Sequence, residues 1–161
     1  MRKILFNDKY LLTQAVLDGT KTMTRRMLKD GTPLGNWEET VKHLPYKVGE
    51  VVAIAQSYYT IGKTQYDKFG NGVPGNSNKM FTRADLMPHH IKITDVKIER
   101  LQSISDDDIL REGVWQYPKL RAYHVSKATG FAPDVAFLTA REAFAYLIDR
   151  ISGKGTWESN P

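Results

Sequence analysis

The chain has 161 residues, 41% of them hydrophobic, and a formal charge of +5, which suits a single domain over residues 1–161 with a core of its own. It has no cysteine, which excludes disulfides, zinc–thiolate sites and cysteine nucleophiles and fits a reducing cytoplasm. The opening apolar run is broken by Asn7 and Asp8 before it reaches signal-peptide length, and no apolar stretch nears membrane-spanning length.

The first predicted element is a short helix. Asp8 is its expected cap, and Leu11, Leu12, Ala15 and Val16 form one apolar stripe. Gly19 supplies the left-handed residue that ends it. Thr20 to Arg26 then group three threonine hydroxyls with three cations around Met23, and threonine favours an extended segment there. Residues 48–59 read as a turn at Gly49 followed by a mostly buried strand. Residues 60–77, rich in Gly, Asn, Lys and Asp, read as a long polar loop, and residues 78–83 as a short strand. Residues 90–101 give the clearest strand, with Ile91 and Ile93, then Val96 and Ile98, separated by a one-residue slip of the kind a β-bulge makes.

Ser105 caps a short helix whose first turn is Asp106, Asp107 and Asp108, and Gly113 ends it. Residues 114–138 read as loop with fragments. Thr139 and Glu142 form a capping box ahead of Phe144, Leu147, Ile148 and Ile151, an apolar face of about three turns that Gly153 closes. Strands mixed with separate helices, without βαβ alternation, predict an antiparallel α+β domain.

For chemistry the leading set is Lys21, Thr24 and Glu112. Lysine and threonine suit a base–nucleophile pair, and a carboxylate suits orientation or proton transfer. Residues three apart on a regular strand face opposite ways, so Lys21 and Thr24 share a site only if the chain bends between them. A lysine starts at about pKa 10.4 and must fall by roughly 2–3 to act as a base near neutrality. Arg25 or Arg26 nearby lowers it, and an ion pair with Glu112 raises it. A solvated segment holding phosphate or nothing is the plainer alternative. Thr22, Arg25 and Arg26 are the expected ligand-binding residues. His89 and His90, being adjacent, point to opposite faces of a strand, and no histidine–carboxylate cluster has metal-ligand spacing, so neither metal nor cofactor is expected. Tyr58, Tyr59, Tyr66 and Phe69 flank the polar loop. They suit base stacking, although filling the core is the more ordinary role for each.

Several of these segments together resemble the ASCH family of the PUA-like superfamily. The resemblance rests on Gly-x-Lys-Thr-x-Thr-Arg-Arg at 19–26, Lys-Val-Gly-Glu-Val-Val at 47–52, the run 83–89 leading into the strand at 90–98, the run 99–113, Arg-Glu-Ala-Phe at 141–144, and Gly-Thr-Trp-Glu-Ser-Asn-Pro at 155–161. It implies a PUA-like, mostly antiparallel β-barrel with peripheral helices, and a polar cleft beside the Lys-Thr segment. It implies a role with RNA, a nucleotide or a modified nucleoside. One branch of the family hydrolyses the acyl amide of N4-acetylcytidine, and its lysine, threonine and glutamate fall on Lys21, Thr24 and Glu112. The expectations are thus an RNA- or nucleotide-binding domain or an amidohydrolase for acylated nucleosides, with a protein partner for a relic cleft as a third.

Overall fold

The computed structural model describes residues 1–117, 119, 121–125 and 136–161. In chain order its helices and strands are β1 (Lys3–Ile4), α1 (Leu12–Leu17), α2 (Trp37–His43), β2 (Val51–Ile54), β3 (His90–Lys92), α3 (Asp106–Arg111), β4 (Trp115–Gln116), β5 (Tyr123–His124), α4 (Ala140–Ser152) and α5 (Thr156–Ser159). The chain divides into two compact units. One comprises Met1–Phe6 and Leu28–Lys97, the other Asn7–Met27 and Ile98–Pro161.

In the first unit β2 lies between β1, to which it is parallel, and β3, to which it is antiparallel. Ile4, Val52, Ala53 and Ile54 are buried, so the central strand is apolar on both faces, as a covered strand is. Tyr58 and Met87 pack with Ala53. Helix α2 was not foreseen, although its signals are ordinary. Asn36 Oδ1 accepts from the Glu38 and Glu39 amides, the two acids sit at its positive end, and Lys42 and His43 sit in its last turn.

The barrel expectation is corrected here. Among the described residues the sheets have three and two strands, and neither closes. The strand expected at 90–98 ends at Lys92. Two more ladder bonds follow, from Gly49 N to Ile93 O (2.8 Å) and from Ile93 N to Glu50 O (2.9 Å). The Lys47–Glu50 turn, with Gly49 at φ +84°, then carries that partner chain away, so among the described residues 94–98 have no strand to pair with and no bulge is seen. Ile91, Ile93, Val96 and Ile98 are still the half-buried positions, so the apolar pattern reported burial rather than pairing. The short strand expected at 78–83 is also corrected. Asn78 caps a 3₁₀ turn at Lys79–Phe81, a local side-chain bond that competes with extended structure.

In the second unit the expected caps form. Ser105 Oγ accepts from the Asp108 amide, and Thr139 and Glu142 make the reciprocal capping box of α4. Helix α4 buries Ala140, Ala143, Phe144 and Leu147, while Ile151 is exposed. The Arg141 guanidinium donates to Ile104 O and Gln102 O and stacks 5.4 Å from the centre of the Trp157 ring. Gln102 takes its other bonds from the tail. Its side chain donates to Trp157 O, and its amide donates to Asn160 Oδ1. Arg141, Gln102, Trp157 and Asn160 therefore act together as a structural clasp. Strands β4 and β5 pair within the stretch read as loop with fragments, and residues 126–135 of that stretch lie outside the described residues. Among the described residues no helix is long and apolar enough to cross a membrane.

Candidate functional site

The site lies in the second unit and begins at the end of α1. Asp8 does not cap that helix; its carboxylate takes the Thr13 hydroxyl instead. The C-terminus follows the expected chemistry. Gly19, at φ +76°, lets its amide reach Val16 O while the Thr20 amide reaches Ala15 O, the paired bonds of a Schellman end. The Lys21 amide shares Ala15 O at 2.9 Å. The backbone is therefore fixed up to the residue whose side chain matters.

A second helix end holds the next two residues. The amides of Thr22 and Met23 both donate to Arg111 O, at 2.9 and 3.1 Å, which satisfies a carbonyl in the last turn of α3. Two successive amides on one acceptor are incompatible with a regular strand, so the chain bends at Thr22–Met23 and no regular strand runs through these two residues. The Lys21 side chain curls back over this bend. Its ammonium donates to Met23 O, Glu112 O and Glu112 Oε2, each at 2.7 Å. Those three bonds use the full donor capacity of an ammonium.

Glu112 is placed by its position as the residue that closes α3. Gly113 follows at φ +107°, and a Cβ there would lie 2.9 Å from Leu12 Cδ2 and 3.6 Å from Lys21 Cδ. The glycine is thus required both by backbone sign and by the close approach of the Leu12 side chain, with the lysine stem in ordinary contact beside it. The Lys21 and Glu112 side chains are only 3% and 6% exposed. Arg25 completes the cluster, with one guanidinium nitrogen 3.2 Å from Glu112 Oε1 and another bonded to Glu99. Two cations and two carboxylates therefore interlock across 91 residues of sequence.

Burial is the largest influence on Lys21 and holds its pKa below the ordinary 10.5. The charge and hydrogen bond of Glu112 oppose that fall, and Arg26 and Arg25 add to it. These are the opposing influences named from the sequence, with desolvation prevailing.

Of the residues singled out in advance, Lys21, Glu112 and Arg25 come together. Thr24 is half-buried, one residue beyond the carbonyl that Lys21 grips. Thr22 and Arg26 are exposed. Glu99 was missed as a site residue. It sits 74 positions from Arg25, and no local spacing announces that contact. Among the described residues no group of three histidines or acids is placed to hold a metal ion. Compared with models of protein families, with curated proteins and with solved structures, the chain shows no match.

Proposed function

We propose that Lys21, Glu112 and Thr24 form the hydrolytic site of a cytoplasmic ASCH-type amidohydrolase that acts on acylated nucleosides such as N4-acetylcytidine. The observation that carries this reading is the buried Lys21–Glu112 contact at 2.7 Å, in which burial lowers the affinity of the lysine for its proton. A lysine that only held phosphate would point its protons outward, whereas all three of these turn inward.

Lys21 passes a proton to Glu112 Oε2 along the existing hydrogen bond and becomes a neutral amine. The amine takes the proton of the Thr24 hydroxyl, and Oγ attacks the acyl carbonyl. The C–N bond then breaks. The exocyclic nitrogen of the base leaves with a proton from Lys21, and the acyl group is carried as a threonine ester. Water, activated by the same amine, hydrolyses that ester and restores the hydroxyl.

Binding of RNA or a nucleotide by the same segment is the second reading, favoured by the exposure of Thr22 and Arg26 and the overall charge of +5. Incubation with N4-acetylcytidine, followed chromatographically for cytidine, separates the two. Hydrolysis requires turnover that Thr24→Ala and Lys21→Arg both abolish, because arginine keeps the charge but gives up no proton at usable pH. Glu112→Gln reduces it. Binding without turnover that survives Lys21→Arg would replace the hydrolytic reading with the second one.

A further inference from the structure

The polar loop of the first unit is built without its own aromatic side chains. Residues 65–73 fold back as a small hairpin, with Val73 N bonded to Gln65 O, Asp67 N to Asn71 O, and Tyr66 opposite Gly72. Buried Asn76 closes its base by accepting from Gln65 N (2.9 Å) and donating to Gln65 O (2.8 Å). Asp67 shapes the tip, because its carboxylate accepts from the amides of Phe69 and Asn71 and from the Asn71 side chain. The neighbouring turn is fixed by the Lys3 ammonium, which donates to the carbonyls of Lys79, Met80 and Thr82.

Of the flanking aromatics only Tyr58 serves the core. Its ring lies against Gly75, where a Cβ would come within 2.7 Å, and its hydroxyl accepts from the Arg83 amide. Tyr59, Tyr66, Phe69 and Phe81 are 60–75% exposed. Gly72 leaves the Tyr66 ring without a cross-strand side chain, and Lys68 lies 4.9 Å from the centre of the Phe69 ring. Residues 57–82 carry exposed Lys63 and Lys68 against one acid, Asp67, whose carboxylate is occupied by donors of the loop itself, while the Lys79 ammonium is held by Phe6 O at 2.6 Å. The core-filling role expected for these aromatics therefore holds for Tyr58 and fails for the other three named from the sequence.

We propose that this loop is a stacking platform for single-stranded nucleic acid. Exposed rings on a tied-down loop accept base faces with little conformational entropy to lose, and interleaved lysines match the backbone phosphates. The same composition fits a duplex poorly, because its bases are already stacked. The platform is independent of the Lys21 site and of the reaction proposed there.

The test is fluorescence anisotropy with a labelled 12-nucleotide oligouridylate and, as competitor, a 12-base-pair RNA duplex. Phe69→Ala and Tyr66→Ala each weaken single-strand binding about 5- to 100-fold, and Phe69→Trp restores it. The affinity falls with salt, with a log–log slope of about 0.7 per phosphate contact. Hydrolysis of N4-acetylcytidine stays unchanged in Phe69→Ala, so the two proposals fail separately. Unchanged affinity in the Tyr66→Ala/Phe69→Ala double variant, or preference for the duplex, would overturn the platform. So would a wild type that self-associates through these rings, becomes monomeric in the double variant and binds no oligonucleotide.

Discussion

Replacing Lys21 with methionine keeps the apolar stem and removes the ammonium. Three acceptors then lose a donor at once: the buried Glu112 O and Glu112 Oε2, and the partly buried Met23 O. Breaking a buried ion pair from one side costs about 3–5 kcal/mol, because the surviving charge is left desolvated. Glu112 keeps Arg25 at 3.2 Å, which places the expected loss near the lower end, about 3 kcal/mol. Removing both partners in Lys21→Met/Glu112→Leu leaves no orphaned carboxylate, and Arg25 retains Glu99. The double variant should therefore fall short of the sum of the single losses by about 1–3 kcal/mol. Urea unfolding near neutral pH, followed by circular dichroism for the wild type and three variants, gives this cycle. A loss under about 1 kcal/mol for Lys21→Met, or simple additivity, would refute the view that these groups form one interdependent buried cluster.

The pH dependence of the same residue has a definite sign. A lysine whose folded pKa lies below 10.5 binds its proton less readily when folded, so its penalty is largest at low pH and is relieved as pH rises through the folded value toward 10.5. The wild type should accordingly gain stability relative to Lys21→Met as pH rises toward 10.5, and a flat or falling difference in denaturation midpoints would contradict the burial argument. Gly113→Ala should destabilise by more than about 1 kcal/mol in the same assay, since the left-handed backbone and the 2.9 Å approach to Leu12 both resist a Cβ. Asp67→Ala should speed amide exchange at Phe69 and Asn71 while leaving the far-ultraviolet spectrum intact, because it removes the acceptor that shapes the hairpin tip. In the wild type the backbone bond from Asn71 is the main influence holding the Asp67 carboxyl below 3.8, so this support persists to acid pH and is lost only as pH falls through the folded value.

Some features of this protein are local and were written in the chain. Gly19, Ser105 and the Thr139–Glu142 box end or begin helices because the atoms that satisfy a helix terminus lie within a few residues of it. The apolar positions from Ile91 to Ile98 marked burial correctly for the same reason, since alternation is a property of the segment itself. The barrel was not local. Whether residues 94–98 form a strand depends on a partner that turns away at Lys47–Glu50, and no pattern within 90–101 carries that information. Lys21, Arg25 and Glu112 could be chosen by residue type, but only the tertiary structure joined the ammonium to the carboxylate 91 positions away and brought Glu99 into the cluster. Exposure of the loop aromatics was decided in the same way. Tyr58 and Tyr59 are neighbours of one residue type, and the packing of Gly75 against one ring buries it while the other stays in solvent.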